Sequence, residues 1–350
     1  MRITHPVVSR RPRTLQSLLR IAPRLGLTAC LTACLALVTP APTACAQPTT
    51  QAKPQPAVAL PTDYGHLTIY EVNLRQITAE GTFDAFRTQH LDRLADLGVG
   101  VLWLMPIHPI GQVERKGTLG SYYAATDYKA VNPEFGSDED FRELVDAAHA
   151  RGMLVILDWV ANHTAWDHVW TKTHPEFFTQ GPDGGFIPPN AEWTDVIDLN
   201  YDAPGMPEAM LDAMRYWVVE FEIDGYRCDV AELVPDAFWS DAIAQLRKER
   251  NLFMLAEGHE ARLHRVGFDA TYGWSYWGPL LAIRNGEAGP EALWEHLTKE
   301  QAGLPNGAYR MLMTSNHDEN SWNDTAVDRW GPMLDAATVL SFTLPGMPLI

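Results

Sequence analysis

Carboxylates accompanied by basic or imidazole side chains recur in four short segments of this sequence. Asp229, Glu257 and Asp318 are the most prominent, and no Ser-His-Asp order, HExxH or CxxC spacing accompanies them. Carboxylates facing a neutral polyhydroxylated substrate favour glycoside cleavage, in which one carboxylic acid protonates the leaving oxygen and one carboxylate lies opposite. The four segments are "DWVANH" (158–163), "GYRCD" (225–229), "LFMLAEG" (252–258) and "SNHD" (315–318).

The segment "GYRCD" places a cation and a carboxylate two residues apart. Residues i and i+2 share one face of a β-strand, so Arg227 and Asp229 are predicted to point the same way. A neighbouring guanidinium lowers the pKa of a carboxyl and keeps it ionised. Glu257 follows an apolar run, so burial near other carboxylates is expected to raise its pKa. Cys228 is predicted to face the opposite layer as a buried residue.

The overall composition is that of a large globular protein with an acidic surface. The chain has 350 residues, 46% of them hydrophobic, and a formal net charge of −17. Such a charge repels nucleic acids and anionic membranes and argues against either as a partner. A neutral substrate fits better, and the twelve tryptophans could supply flat apolar platforms for sugars.

The first 46 residues have the pattern of a secretory signal peptide. A basic stretch precedes an apolar run and the small residues Ala44 and Ala46. Export to the periplasm or the extracellular medium is therefore expected, with no stable membrane span after cleavage. A membrane anchor or a lipoprotein attached at Cys45 is the alternative. Residues 47–62 are rich in Pro, Gln, Thr and Ala and are predicted to form a flexible linker.

From residue 63 onward, apolar strand-like runs alternate with helical patterns. Eight such runs within 63–350 predict a (β/α)₈ barrel, because apolar strands separated by helices are typical of a covered parallel sheet. A doubly wound sheet is the alternative, but no glycine-rich phosphate loop follows the first run. Residues 164–200 are predicted to form a small domain B inserted after the third strand, and the chain appears truncated in the eighth. The strand candidates are "HLTIYEVNL", "VGVLWLMPI", "MLVILDWV", "IDGYRCDV", "LFMLAEG", "FDATYGW", "RMLMTSNHD" and "TLPGMPLI".

The four charged segments, in this order on a barrel pattern, resemble the short conserved regions of the α-amylase family, glycoside hydrolase family 13. "VIDLN" (196–200) resembles the fifth region of that family, and "YAATDY" (123–128) resembles its "GYxxxDY" segment. The resemblance extends from residue 63 to residue 350. It implies a retaining hydrolase that cleaves α-glucosidic bonds, mainly α-1,4, in starch, maltodextrin or maltooligosaccharides through a covalent glycosyl-enzyme.

The resemblance also implies a role for each matching residue. Asp229 corresponds to the nucleophile, Glu257 to the general acid/base and Asp318 to the transition-state stabiliser. The substrate-binding residues that it implies are Tyr123, His163, Arg227 and His317.

Some positions depart from the commonest pattern of the family. Glu232 and Leu233 replace the usual Lys-His pair. The alternative activities within the family are those of an α-1,6-glucosidase, a neopullulanase-like enzyme or a transglycosylase, and Val230 is compatible with α-1,6 activity. A non-catalytic glucan-binding homologue is the alternative from another class. Asn162 and Asp198 match two calcium ligands of some members, so a structural calcium is possible, although no cofactor is required and no full ligand set is identifiable.

Overall fold

Eight parallel strands form the sheet at the centre of this computed structural model, which describes residues 63–350. The predicted signal peptide and linker lie outside the described residues. The sheet order is β1-β2-β3-β6-β7-β8-β9-β10. Its strands are β1 (Thr68–Val72), β2 (Val99–Leu104), β3 (Leu154–Trp159), β6 (Gly225–Cys228), β7 (Phe253–Ala256), β8 (Ala270–Tyr272), β9 (Tyr309–Leu312) and β10 (Met347–Pro348).

Backbone hydrogen bonds join the last strand to the first and close the sheet into a barrel. Glu71 donates its N–H to the carbonyl of Ile350 at 3.0 Å, and Ile350 donates to the carbonyl of Ile69 at 2.9 Å. Ile69 also forms a parallel bridge with Leu349. All eight predicted strands are present, and the prediction of a (β/α)₈ barrel is confirmed.

Helices follow most of the strands and cover the outside of the sheet. Local sequence fixes their ends: Thr82 caps the first long helix through the N–H of Ala85, and Gly98 ends it in the left-handed conformation. The helices are α1 (Leu74–Ile77), α2 (Phe83–Leu97), α3 (Asp138–His149), α4 (Trp170–Thr173), α5 (Met206–Glu220), α6 (Asp236–Glu249), α7 (Arg262–Arg265), α8 (Trp277–Arg284), α9 (Glu291–Gly303), α10 (His317–Trp322), α11 (Ala326–Trp330) and α12 (Leu334–Thr343). Four 3₁₀ turns accompany them, at Pro175–Phe177, Ala231–Leu233, Trp274–Tyr276 and Gly331–Met333. None of the helices within 63–350 is long and apolar enough to cross a membrane.

A small antiparallel sheet interrupts the barrel pattern between β3 and α5. It consists of β4 (His163–Ala165) and β5 (Val196–Asp198), with His163 opposite Asp198. The paired strands bracket most of the segment predicted as domain B. The boundaries 164–200 themselves stay a prediction.

The strand β6 shows how the sequence alternates between the two faces of the barrel wall. Tyr226 and Cys228 belong to the apolar layer between sheet and helices, where the Tyr226 hydroxyl donates to the carbonyl of Met214 on α5. Arg227 points to the other side, into the barrel, and is fully buried. The predicted alternation along "GYRCD" therefore matches the structure.

The seventh barrel strand is shorter than its sequence pattern predicts. The apolar run was expected to continue as strand to Asp318, but β9 ends at Leu312. The Asn316 side chain accepts the N–H of Glu319 and caps a new helix, so His317 and Asp318 lie in the first turn of α10.

Candidate active site

Arg227 is the centre of a polar cluster at the carboxyl ends of the barrel strands. Its Nη1 donates to Asp158 Oδ1 at 2.7 Å and to Asp229 Oδ1 at 2.9 Å. Its Nε donates to the hydroxyl of Tyr272 at 3.1 Å. Its Nη2 lies 3.0 Å from Glu257 Oε2, as an ion pair whose angles do not make a hydrogen bond. One buried cation thus holds together carboxylates from three neighbouring strands.

Strand register explains why these groups meet. The Cα atom of Asp158 is paired with that of Arg227 across β3 and β6. Glu257 directly follows β7, the next strand of the sheet, and its N–H donates to the carbonyl of Cys228 at 2.9 Å. The strand ends of a parallel barrel converge at one rim, so residues distant in sequence become neighbours there.

Asp229 and Glu257 are close enough to influence each other's charge. Burial raises the pKa of Asp229 well above its usual value, the Glu257 carboxylate raises it further, and Arg227 acts in the opposite direction. Arg227 lowers the pKa as the sequence predicted, but burial and the second carboxylate outweigh it. The pair therefore resists carrying two negative charges at once.

Backbone geometry directly after Asp229 also contributes to the site. Val230 has φ 35° and ψ 46°, the left-handed region that a β-branched residue rarely adopts. In this conformation its N–H donates to Glu257 Oε2 at 2.6 Å. Strained backbone often marks a functional site, and here it links the positions of the candidate nucleophile and acid.

His317 joins the cluster through a chain of hydrogen bonds. Its Nε2 lies 2.7 Å from the hydroxyl of Tyr123, and this hydroxyl donates to Asp158 Oδ2 at 3.0 Å. On the other side, Nδ1 pairs with Glu71 Oε1, while the backbone N–H of His317 donates to Glu71 Oε2 at 3.2 Å. Burial opposes the imidazolium, but the bond and charge of Glu71 raise the pKa of His317 overall.

Asp318 and His163 lie on two other sides of the cluster. Asp318 Oδ2 lies 3.4 Å from His317 Nε2, and the pKa of Asp318 is raised, chiefly by burial. His163 Nε2 lies 4.0 Å from Asp229 Oδ2. Burial lowers the pKa of His163 to about 4, so this imidazole is neutral near pH 7. A neutral imidazole can donate to a hydroxyl without adding charge.

The structure thus brings all seven predicted site residues to the same rim of the barrel. A family model described as "Alpha amylase, catalytic domain" matches residues 79–183. A solved α-amylase from Lactobacillus plantarum is 36% identical with a TM-score of 0.75, and the match covers 81% of this chain and 70% of that one.

The chain belongs to the α-amylase family. Curated relatives agree with this membership. The α-amylase MalA of Haloarcula japonica is 30% identical over 305 residues, 81% of this chain and 43% of MalA. An α-1,4-glucan:maltose-1-phosphate maltosyltransferase of Cereibacter sphaeroides is 33% identical over 223 residues, 56% of this chain and 33% of that protein. The chain therefore spans less than half the length of these two relatives.

Some α-amylase family members bind a calcium ion at the positions of Asn162 and Asp198. In this chain Asp198 Oδ2 already accepts the Thr179 hydroxyl at 2.6 Å, and the Asn162 amide lies 3.1 Å from the His163 ring. The described residues contain no cluster of three or more His, Cys, Asp or Glu side chains that could hold a metal. Two donors are few against the 6–8 oxygens that calcium takes, so no step is derived through a metal.

Three residues of this site were missed by the sequence reasoning. Glu71 holds His317, and Tyr272 accepts from Arg227. Glu71 is next to last on β1 and Tyr272 is last on β8, so a polar residue at a strand end is the signal that could have found them. Trp103 is a third contributor, because its indole N–H donates to Asp158 Oδ2 at 3.1 Å.

Proposed function

We propose that this protein is a retaining glycoside hydrolase that cleaves α-glucosidic bonds, mainly α-1,4, of starch, maltodextrin or related α-glucans. The observation that carries the proposal is the bridge that Arg227 makes between Asp229 and Glu257. Retaining enzymes hold nucleophile and acid carboxyls about 5–5.5 Å apart, a separation that a single bridging guanidinium allows. The names of the similar proteins support the substrate class.

Asp229 is proposed as the nucleophile. Arg227 occupies Oδ1, so Oδ2 is available to attack the anomeric carbon. As the new C–O bond forms, the glycosidic bond breaks, and its oxygen takes the proton of Glu257. In the second half, Glu257 removes a proton from water, and the water oxygen displaces Asp229 from the sugar.

The starting proton is assigned to Glu257 for an electrostatic reason. The pair resists two negative charges, so one carboxyl keeps a proton. Arg227 makes a charge-assisted hydrogen bond to Asp229, whereas its ion pair with Glu257 is not a hydrogen bond, and Glu257 accepts one from the neutral N–H of Val230. Asp229 is therefore better stabilised as the anion. No hydrogen bond among residues 63–350 uses Glu257 Oε1, so this oxygen can carry the proton towards the substrate.

The remaining site residues are proposed to bind and stabilise the reacting sugar. His163 would donate to its hydroxyls, and His317 Nε2 would do so when a sugar hydroxyl replaces its present contact with the Tyr123 hydroxyl. The Tyr123 ring would stack against the sugar. Asp318 would stabilise the positive charge that develops on the ring as the oxocarbenium-like transition state forms. Its side chain is 42% exposed, so it is open to a ligand.

Transglycosylation is a second candidate for the same site. It differs only in the acceptor, a sugar hydroxyl in place of water in the second half. The similarity to an α-1,4-glucan:maltose-1-phosphate maltosyltransferase favours it.

Export is also a proposal, based on the composition of residues 1–46. Sequencing the N-terminus of the secreted protein would check cleavage before Gln47.

The test is a product profile on maltoheptaose, pullulan and isomaltose, with maltose added as acceptor. We expect shorter maltooligosaccharides, released first as the α-anomer in proton NMR. Glu257→Gln should lose most turnover of maltoheptaose while its circular dichroism spectrum stays that of the parent. Release of the β-anomer, or unchanged turnover by Glu257→Gln, would overturn the proposal.

A further inference from the structure

The side chain of Glu232 contacts the loop that carries the proposed acid/base. Its Oε1 accepts the backbone N–H groups of His259 at 2.7 Å and of Glu260 at 3.0 Å. These two residues follow Glu257 almost directly in the chain. The sequence singled out Glu232 only as a departure from the usual Lys of the family, and the proposed mechanism assigns it no role.

Two neighbours of Glu232 hold the same loop through their backbones. The N–H of Ala231 donates to the carbonyl of Glu257 at 3.1 Å, and the N–H of Val230 donates to its carboxylate. Four hydrogen bonds therefore join residues 230–232 to the loop 257–260. The segment after the nucleophile thus fixes the position of the acid.

The carboxylate of Glu232 also packs tightly against the loop backbone. Gly258 has φ +159°, and a Cβ placed there would lie 2.8 Å from both Cγ and Oε1 of Glu232. Only a glycine allows this close approach. The contact is partly shielded, because the Glu232 side chain is 26% exposed, and the His259 imidazole lies 3.6 Å away.

We infer that Glu232 is a positioning residue that aims the Glu257 carboxyl at the leaving oxygen. The inference rests on the proposed function and deepens it. Glu232 acts through the backbone of residues 259 and 260 and needs no contact with the sugar. Its carboxylate accepts two backbone N–H groups, in the same way that a carboxylate at a helix N-terminus accepts the free N–H groups of the first turn.

This role predicts a defect that depends on the leaving group. A sugar leaving group needs a proton from Glu257, whereas fluoride departs with little acid assistance. Glu257 also serves as the base of the second half-reaction, so the comparison uses kcat/KM, which reports the steps up to the glycosyl-enzyme. Misplacing the acid should lower kcat/KM for maltooligosaccharides but spare it for α-maltosyl fluoride. General acid catalysis contributes about 10²–10⁴-fold, so a partial displacement should remove about 10–100-fold of it.

The experiment compares kcat and KM of the full chain and its variants on maltoheptaose and α-maltosyl fluoride. Glu232→Ala should lose about 10–100-fold in kcat/KM on maltoheptaose, with KM within about twofold, and less than about threefold in kcat/KM on the fluoride. Glu232→Gln should recover most of the loss, because its amide oxygen accepts the same two N–H groups. Glu260→Ala is the control, since it removes a carboxylate from this loop and leaves those bonds in place.

Glu232→Asp is a second variant that tests the same role if the alanine variant fails to fold. It keeps the charge, shortens the reach and should show the same selectivity in milder form. Equal losses of kcat/KM on both substrates, or a change on maltoheptaose confined to KM, would overturn the positioning role while leaving the proposed function intact. Absence of turnover of both substrates by the parent chain would overturn the proposed function and this inference with it.

Discussion

Glu71, on the first barrel strand, holds His317 at two atoms. One carboxylate oxygen pairs with Nδ1 of the ring, and the other accepts the backbone N–H at 3.2 Å. With Nδ1 occupied, Nε2 is directed to the hydroxyl of Tyr123 at 2.7 Å. Both side chains are largely buried, so this ion pair is weakly screened by solvent.

Glu71→Gln should destabilise the protein in a pH-dependent way. The pKa of His317 is raised in the fold, so its contribution to stability is complete below the unfolded value of about 6.5 and is lost as pH rises through the folded pKa. Urea unfolding should show a cost of about 1.5–3 kcal/mol at pH 5.5 and less at pH 9. A cost that does not change with pH would contradict a charged His317.

Arg227→Met should cost about 3–5 kcal/mol of unfolding free energy at pH 7 and abolish activity, because it leaves buried carboxylates without their cation. The pKa values of Asp158 and Asp229 are already raised by burial. Protonation at lower pH relieves the repulsion, so the cost should shrink at pH 5. Arg151→Met is the control, since its ion pair with Asp92 is exposed and should contribute less than about 1 kcal/mol. Equal costs for the two variants would show that the cluster does not depend on Arg227.

Tyr123→Phe should lower kcat more than it changes KM. The ring that stacks on the sugar is kept, but the hydroxyl between Asp158 and His317 is lost, at a cost of about 1.5–3 kcal/mol in unfolding free energy. Tyr122→Phe is a matched control, because its hydroxyl donates to the neutral side chain of Asn73. If the two variants behave alike in steady-state kinetics and urea unfolding, the bridge has no special role.

Val230→Asn should stabilise the fold by roughly 1 kcal/mol, because asparagine tolerates the left-handed conformation that strains a β-branched residue. Glu222→Gly relieves a positive φ of 56° at an exposed site and should have the same sign in thermal unfolding. Activity should change only in the Val230 variant, since of these two residues only Val230 donates its backbone N–H to Glu257. A lower melting temperature for Val230→Asn would argue that the side chain outweighs the strain.

Chelation should leave thermal stability unchanged. Burial raises the pKa of Asp198, and its bond to Thr179 acts in the opposite direction, so this carboxylate has a protein partner. Melting temperatures in EDTA and in added calcium should therefore agree within about 1 °C. A fall in EDTA that calcium alone reverses would identify a structural calcium near Asn162.

The sequence was sufficient to predict the part of the site that is formed by residues at the ends of the barrel strands. Asp158, Arg227 and Glu257 end or follow apolar runs, and the convergence of parallel strands at one rim predicts their meeting. The roles of Asp229, Glu257 and Asp318 came from the family resemblance and stay predictions. Family membership and the barrel itself are confirmed by the solved α-amylase of similar fold.

The contacts that sequence could not supply depend on burial and on loop geometry. The raised pKa of Asp229 reflects how deeply β6 is covered, which residue order does not reveal. The bonds of Glu232 go to backbone N–H groups, which have no signature in sequence. Glu71 lies in an ordinary strand pattern, and its partner is 246 positions away.

The closing seam of the barrel has a kinetic consequence. Glu71 donates its N–H to Ile350, Ile350 donates to Ile69, and Ile69 forms the adjoining bridge with Leu349. Contacts between such distant segments form slowly, since a long loop must close before they contribute. During refolding from urea, helical signal should therefore recover before Glu71 reaches His317. Enzymatic turnover should return last, at the rate at which the seam closes.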